Sequence, residues 1–156
     1  MITTLVFDFS RVVLFPKDVS YKGELNPLHK RLSQSSDYNF LEHFELNDPL
    51  LRYLQEFKGK YGLYIFTSGS IQDALEIRPQ LEAVFEGIYS AEELGVRKRD
   101  PHSYLHFAKA IGRKPEEMVF IDDTLANVET ARKAGIQSIC YVSLEQLKAD
   151  LGALLS

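Results

Sequence analysis

Two adjacent carboxylates at the end of an apolar segment are the residues of this chain best suited to chemistry. Asp122 and Asp123 follow the run Met118–Ile121 and precede a helical pattern that extends to Gly135. Two anions side by side at the end of a buried strand are unfavourable unless a cation or a proton neutralises them. The pair therefore predicts a metal site. The purely structural alternative is that one Asp caps the following helix, for which a single Asp would suffice.

Short apolar segments rich in β-branched and aromatic residues predict the strands that position this pair. Helical patterns lie between them, over 48–57 and 101–111. Strands that alternate with helices predict an α/β fold with a central parallel sheet covered on both faces. The predicted strands are Thr3–Asp8, Gly62–Thr67, Met118–Ile121 and Ile136–Val142.

Further polar residues follow these strands. Asp8 and Ser10 lie at and just after the end of the first predicted strand. Thr67 is the last residue of the second predicted strand, and Ser68 follows it. Lys98 lies in the loop before the second helical pattern. Because reactive groups collect at the carboxyl ends of the strands in open α/β sheets, we expect these side chains to meet the carboxylate pair at one edge of the sheet.

Length and composition indicate one domain. A chain of 156 residues with 45% hydrophobic content can bury one core and is too short for two ordinary domains. We therefore expect a single domain over residues 1–156. The stretch 16–47 interrupts the alternation and is interpreted as a partly helical inserted lid or reduced cap. Such a small cap would leave the site open to larger substrates or to a protein partner, and Phe15 or Tyr21 could contribute to that surface.

Charge and hydropathy exclude two classes of partner. The formal net charge of −4 gives no overall basic field, so nucleic-acid binding is not expected. A phosphorylated small molecule is still compatible, because local charge can oppose global charge. No apolar run is long enough to span a bilayer, and the N-terminus shows no targeting signal, so we expect a cytoplasmic protein without a membrane partner.

Four motifs in this order resemble the haloacid dehalogenase-like hydrolase superfamily. The motifs are Leu5–Ser10, Ile65–Thr67, Val96–Pro101 and Phe120–Asp123. The resemblance covers nearly the whole chain. It implies a three-layer, Rossmann-like fold with a short cap insertion, and phosphoryl transfer assisted by Mg²⁺.

The resemblance also implies how the phosphoryl group is handled. Asp8 would be the nucleophile and would form a phosphoaspartyl intermediate, with Thr67 and Lys98 as the other catalytic residues. Thr67 and Lys98 would also bind the phosphate, together with the backbone N–H groups of Ser68 and Gly69. An anionic phosphate is attacked by a carboxylate only when its charge is neutralised, which explains the ammonium and the metal ion.

The expected Mg²⁺ site draws on the first and last motifs. Its predicted residues are Asp8, the backbone carbonyl of Ser10, Asp122 and Asp123. We expect Asp123 to be a direct ligand, whereas Asp122 and Asn127 act through bound water or by orienting other groups.

Ser10 and Arg11 depart from the family pattern. Phosphatases of the family carry a second Asp two residues after the nucleophile, which protonates the leaving group and then activates water. A Ser hydroxyl cannot replace it, because its pKa is far too high, and the loss costs roughly 10²–10⁴-fold in rate. Both residues are still expected to contact the substrate. Arg11 would pair with Asp8, reach the phosphate, or point to solvent.

Three hypotheses follow from this departure. The first is a Mg²⁺-dependent hydrolase limited to good leaving groups, such as aryl or acyl phosphates. The second is a catalytically impaired relative that binds a phosphorylated ligand or a protein partner. The third is a haloacid dehalogenase, which is disfavoured because a carboxylate pair without metal would oppose the charge of Asp8.

Overall fold

The computed structural model describes residues 1–156 and contains seven strands in two sheets. Five of them form a parallel sheet in the order β5-β4-β1-β6-β7, and β2 pairs antiparallel with β3. In chain order the strands are β1 (Thr4–Phe7), β2 (Leu14–Pro16), β3 (Phe44–Leu46), β4 (Gly62–Thr67), β5 (Gly87–Ser90), β6 (Met118–Asp122) and β7 (Gln137–Cys140).

Eight α-helices cover the sheet and its connections, and none has the length and apolar character needed to cross a membrane. They are α1 (Leu25–Leu32), α2 (Phe40–His43), α3 (Asp48–Leu54), α4 (Arg78–Glu82), α5 (Ala91–Leu94), α6 (Pro101–Ala110), α7 (Leu125–Lys133) and α8 (Leu144–Leu155). Three 3₁₀ turns complete the elements, at Gln55–Phe57, Ile71–Asp73 and Pro115–Glu117.

The sheet separates two apolar clusters, as the alternation of side chains along a strand requires. In β1, Leu5 and Phe7 belong to the larger cluster, whereas Val6 belongs to the smaller one. The larger cluster includes side chains of α3 and α8, and the smaller one includes side chains of α6 and α7. The prediction of a three-layer α/β fold with a central parallel sheet is confirmed.

The differences from the sequence-based expectation are local. The edge strand β5 was not predicted, because its four residues are mostly half-buried and form no apolar run. The helix predicted over 48–57 is an α-helix only to Leu54 and ends in a 3₁₀ turn. Its N-cap is Asn47, whose side-chain oxygen accepts from the N–H of Leu50.

The segment 16–47 leaves and rejoins the rest of the chain through the β2–β3 ladder. Pro16 lies opposite Phe44 in this ladder, and Leu14 lies opposite Leu46. Between the two strands the chain forms α1 and α2, in agreement with the expectation of a partly helical segment. The antiparallel pairing holds the two ends of the segment together, beside the loop that follows β1.

Candidate active site

Asp8 lies directly after the central strand β1, at the carboxyl edge of the sheet. Its backbone N–H donates to the carbonyl of Ile121 on the neighbouring strand β6, over 2.8 Å. The chain then turns sharply, with Arg11 in the left-handed region at φ 62°. Only 8% of Asp8 is exposed, and this exposed part lines a cavity. The β1–β6 pairing therefore fixes where the carboxylate stands.

Lys98 is the charged partner of Asp8. Its Nζ donates to Asp8 Oδ1 over 2.9 Å, to Asp122 Oδ2 over 3.0 Å and to the carbonyl of Phe66 over 3.3 Å. An ammonium has three N–H donors, so all of its hydrogen-bonding capacity is used. Burial lowers the pKa of Lys98, but Asp8 and Asp122 outweigh this effect, so its pKa lies above the usual value. Lys98 therefore remains a buried cation.

Asp122 is completely buried, and both of its oxygens accept hydrogen bonds from the protein. Oδ1 accepts from the backbone N–H of Thr124 over 2.9 Å. Oδ2 accepts from Lys98 and from the side-chain amide of Asn127, each over 3.0 Å. The N-cap of α7 is Thr124, so neither member of the carboxylate pair is the capping residue. Asp122 instead holds Lys98 and the start of the helix in place.

The site carries more negative than positive charge. Carboxylate oxygens of Asp8, Asp122 and Asp123 lie within 4.8 Å of one another, and Lys98 is the ammonium between two of them. Burial raises the pKa of Asp8 to about 7 against the opposing effect of Lys98. Burial, followed by the charge of Asp122, raises the pKa of Asp123 to about 6. Both pKa values are raised because the ionised carboxylates are buried close to one another and share a single ammonium.

These donors fit a small divalent cation. Carboxylate and carbonyl oxygens are the ligands that Mg²⁺ prefers, and Asp8 and Asp123 both line the cavity. Asp122 has no oxygen free of hydrogen bonds, which suits it to orient other groups rather than to bind the ion directly. Ser10 also lines the cavity, and its buried hydroxyl oxygen has no hydrogen-bond partner.

The cavity has a volume of about 740 Å³, and most of the residues that line it are polar or charged. Only two of its 17 lining residues are hydrophobic. Of the residues assigned to the site from sequence, it is lined by Asp8, Ser10, Arg11, Thr67, Ser68, Lys98, Asp123 and Asn127. Asp122 and Gly69 do not line it. The edge of the sheet thus brings most of the expected side chains to one polar space.

The side chain of Arg11 contacts backbone carbonyl groups, which was not among the contacts expected from the sequence. Its guanidinium donates to the carbonyls of Tyr21, over 3.2 Å, and Gly23, over 2.6 Å. It pairs with backbone rather than with Asp8, and it ties the loop after β1 to the segment before α1. Neither Phe15 nor Tyr21 lines the cavity, so a contribution of either residue to the surface around it stays a prediction. Phe15 packs against the larger core.

The family model of haloacid dehalogenase-like hydrolases matches residues 22–135 of the chain, which is most of its length. This chain belongs to that family. The match includes Thr67, Lys98 and the carboxylate pair, and it leaves out residues 1–21, which contain Asp8, Ser10 and Arg11.

Curated relatives of this haloacid dehalogenase-like hydrolase include several phosphatases. Enolase-phosphatase E1 of Azotobacter vinelandii is 37% identical over 81 residues, which cover 49% of this chain and 35% of the relative. The phosphorylated carbohydrates phosphatase of Thermotoga maritima is 31% identical over 137 residues, which cover 85% of this chain and 63% of the relative. The match spans between a third and two fifths of the length of the enolase-phosphatases.

Solved structures share the fold of this hydrolase along almost its whole length. A haloacid dehalogenase family enzyme of Bacteroides thetaiotaomicron, in complex with magnesium and inorganic phosphate, has a TM-score of 0.70 at 16% identity and covers 94% of this chain and 99% of its own. A protein of Porphyromonas gingivalis described as a predicted HAD-like family hydrolase has a TM-score of 0.72 at 21% identity and covers 99% and 98%.

Sequence reasoning on this hydrolase missed a group of residues that the fold brings to the cavity. Lys22, Glu24, Asn26, Arg99 and Thr130 all line it. Arg99 is adjacent to Lys98, so its position could have been inferred from the motif. The others carried no signal, because nothing in the segment before α1 or in the body of α7 marks these positions as close to the motifs.

Proposed function

We propose that this haloacid dehalogenase-like hydrolase is a Mg²⁺-dependent phosphatase that works through a phosphorylated Asp8 and is limited to good leaving groups. The observation that carries the proposal is the Asp8 carboxylate, exposed to a polar cavity and held 2.9 Å from a buried ammonium within a cluster of carboxylates. A carboxylate in this setting can attack an electrophile that enters from the cavity. The polar wall suits an anionic phosphate.

The reaction takes two displacements at phosphorus. An oxygen of Asp8 forms a bond to phosphorus, while the bond from phosphorus to the leaving oxygen breaks and its electron pair stays on the leaving group. Water then attacks the same phosphorus and the bond to Asp8 breaks, so the electron pair returns to the Asp8 carboxylate, the proton of the water passes to a phosphate oxygen or to solvent, and inorganic phosphate forms. Thr67 and Ser68 line the cavity and would donate hydrogen bonds to the transferring oxygens, whereas Lys98, whose three N–H donors are used within the protein, would stabilise their negative charge electrostatically.

Asp8, Asp123 and the carbonyl of Ser10 would hold Mg²⁺, and Asp122 and Asn127 would orient the surrounding groups. The bound ion would supply positive charge against the phosphate and against the carboxylates. The arrangement of the oxygen ligands supports this assignment, because carboxylate oxygens of Asp8, Asp122 and Asp123 lie within 4.8 Å of one another.

Ser10 limits which leaving groups can depart. At this position a carboxylic acid would protonate the leaving oxygen, and a Ser hydroxyl is too weak an acid to do so. The leaving group must then depart as an anion, which favours phosphates of acidic groups such as phenols and carboxylic acids. Alkyl phosphate monoesters, whose alkoxides are strongly basic, are expected to react slowly.

We infer that the chain works as one domain and that residues 16–47 act as its reduced cap. Lys22, Glu24 and Asn26 come from this segment and line the cavity, which supports the assignment. The guanidinium of Arg11 ties the segment to the loop after the nucleophile. We propose a phosphorylated small molecule as the substrate, in a cavity of about 740 Å³.

A dehalogenase is a poor fit to the same space. A haloalkanoic acid presents a neutral carbon to the nucleophile and needs an apolar pocket around it. Here only two of the 17 lining residues are hydrophobic, and three carboxylates line the cavity, those of Asp8, Glu24 and Asp123. A phosphate with a cation fits the charges better.

Steady-state hydrolysis of acetyl phosphate and 4-nitrophenyl phosphate tests the proposal. Wild type and Asp8→Asn are compared with Mg²⁺ and with a chelator. Turnover that needs both Asp8 and Mg²⁺ is the expected result. Turnover that survives Asp8→Asn would overturn the assignment of the nucleophile. Absence of turnover with tight binding of inorganic phosphate would instead favour a non-catalytic phosphate-binding relative.

A further inference from the structure

Asn26, on the segment before β3, contacts the backbone of the loop that follows β4. Its side-chain oxygen Oδ1 accepts the N–H of Ser70 over 3.0 Å and the N–H of Ile71 over 2.9 Å. Two N–H donors aimed at one atom identify that atom as the oxygen of the amide rather than its nitrogen. Asn26 therefore joins α1 to a loop that is 44 residues away in the chain.

The loop is held from the other side as well. The carbonyl of Ser68 accepts the N–H of Glu92 over 3.2 Å and the hydroxyl of Ser90 over 3.3 Å. Ser68 itself carries these contacts and directly follows Thr67, the last residue of β4, so only Gly69 lies between them and the two N–H groups that donate to Asn26. Removing either set of contacts would leave the loop fixed at one end only.

Gly69 is where Asn26 approaches the loop most closely. A Cβ added at Gly69 would lie within 3 Å of three Asn26 side-chain atoms, since the structure places them directly over this Cα. An Ala at position 69 would therefore push the Asn26 side chain away and break its two hydrogen bonds. The close approach and the hydrogen bonds are parts of one contact.

We propose that Asn26 is a positioning residue, which fixes the backbone of 67–71 so that Thr67 and Ser68 present their donors to the phosphate. This role rests on the proposed phosphatase function and adds a cap residue to it. Because the contact comes from the segment 16–47, a displacement of that segment would loosen the phosphate-binding loop. Substrate binding under the cap is thereby coupled to the order of the loop.

Asn26→Ala removes the contact without weakening the helix that carries it, because Ala is a better helix former than Asn. Amide hydrogen exchange at Ser70 and Ile71 and the Kd for inorganic phosphate, measured with Mg²⁺ present, are the two readouts. Asn26→Ala is expected to speed exchange at both amides and to raise the phosphate Kd about tenfold, as the loss of one to two hydrogen bonds would.

Four further variants sharpen the test. Asn26→Asp keeps an acceptor oxygen and is expected to restore slow exchange at the two amides. Gly69→Ala should reproduce both effects of Asn26→Ala, and the double variant should add little to either single change. Asn39→Ala is the matched control, because Asn39 caps α2 in the same segment through the N–H of Leu41 and does not line the cavity. It should leave exchange and phosphate binding unchanged.

The outcomes separate this role from the proposed function. Unchanged hydrogen exchange at Ser70 and Ile71 in Asn26→Ala would show that the Asn26 side chain does not form these hydrogen bonds in solution. Faster exchange with an unchanged phosphate Kd would overturn the positioning role. If wild type fails to bind phosphate while Asn26→Ala still speeds exchange, the proposed function is wrong and Asn26 fixes the loop for some other purpose.

Discussion

The Lys98 ammonium donates to Asp8 over 2.9 Å, although 90 residues separate the two in the chain. Lys98 is 5% exposed and Asp8 is 8% exposed, so the pair is almost shielded from water. A buried ion pair does not add stability by itself, but removing one partner leaves an uncompensated buried charge. In this site, Asp122 shares the same ammonium, so two carboxylates depend on one cation.

Lys98→Met should therefore destabilise the fold as well as abolish turnover. We expect the free energy of unfolding to fall by about 3–5 kcal/mol, because carboxylates at Asp8 and Asp122 lose their buried partner. Urea unfolding at pH 7.5 measures the change. The double variant Lys98→Met with Asp122→Asn removes one of the stranded charges and should recover part of the loss. A single variant as stable as wild type would contradict the charge balance described for the site.

Mg²⁺ should stabilise the folded chain through Asp123. Binding at a hundredfold excess over Kd adds about 2.7 kcal/mol to the free energy of unfolding. Thermal melts with Mg²⁺ and with EDTA should show a higher Tm for wild type in Mg²⁺, and a much smaller difference for Asp123→Asn. Asp37→Asn is a suitable control, because Asp37 is exposed and hydrogen-bonds to Ser35 rather than to the cluster. Equal Mg²⁺ responses in all three proteins would exclude Asp123 as a ligand.

Ser10→Asp should change the range of leaving groups. An acid at this position can protonate the departing oxygen, so turnover of alkyl phosphate monoesters should rise, by up to about 100-fold, while acyl phosphates gain little. Ser10→Asn supplies the control, since it has a similar shape without an acidic proton. The ratio of kcat/KM for an alkyl and an acyl phosphate is the readout. An equal response of both substrates would show that the absence of leaving-group protonation is not what restricts the substrates of the wild type.

The free energy of unfolding should depend on pH because of His29, which lies in α1. Its Nδ1 lies 2.8 Å from the Tyr38 hydroxyl, and its ring packs edge-on against Phe40 and Phe44. Burial lowers the pKa of His29 below its ordinary value of 6.5, against a raising effect of Glu76. The neutral ring is therefore the form that the folded state prefers.

The sign of the His29 effect follows from that lowered pKa. Above pH 6.5 the ring is neutral in both the folded and the unfolded chain, so the contribution of His29 to stability is fully present. As the pH falls, the unfolded chain takes up a proton first, and stability is lost until the folded pKa has been passed. Urea unfolding between pH 7.5 and 5 should show a smaller decline for His29→Gln than for wild type. His106→Gln, at an exposed position on α6, should decline as wild type does.

Much of the fold could be predicted from local patterns. Short apolar runs that end in polar residues identified the four strands β1, β4, β6 and β7, because buried strands need continuous apolar surface. The edge strand β5 was missed, since its residues are only half-buried and the pattern is weak. The β2–β3 ladder was missed because each strand has three residues, too few for a periodic pattern.

The site shows the same division. The position of Asp8, Thr67, Lys98 and Asp123 at the cavity could be predicted, because each one stands at the end of a strand or in a motif with a known order. Asn26 could not be assigned in this way. Its importance lies in two hydrogen bonds to a loop that is distant in the chain, and an Asn beside a Pro in a polar stretch gives no sign of such a partner.

The sequence by itself determined the family, the parallel sheet and the meeting of carboxylates with an ammonium at one sheet edge. These features follow from residue type and order, which act locally or through the alternation of strands and helices. Only the tertiary structure decided how the groups divide their contacts: that Asp122 uses both oxygens within the protein, that Arg11 binds backbone carbonyls instead of Asp8, and that Asn26 contacts the loop after β4. Hydrogen bonds are directional and act over about 3 Å, so they depend on a packing geometry that no pattern along the chain encodes.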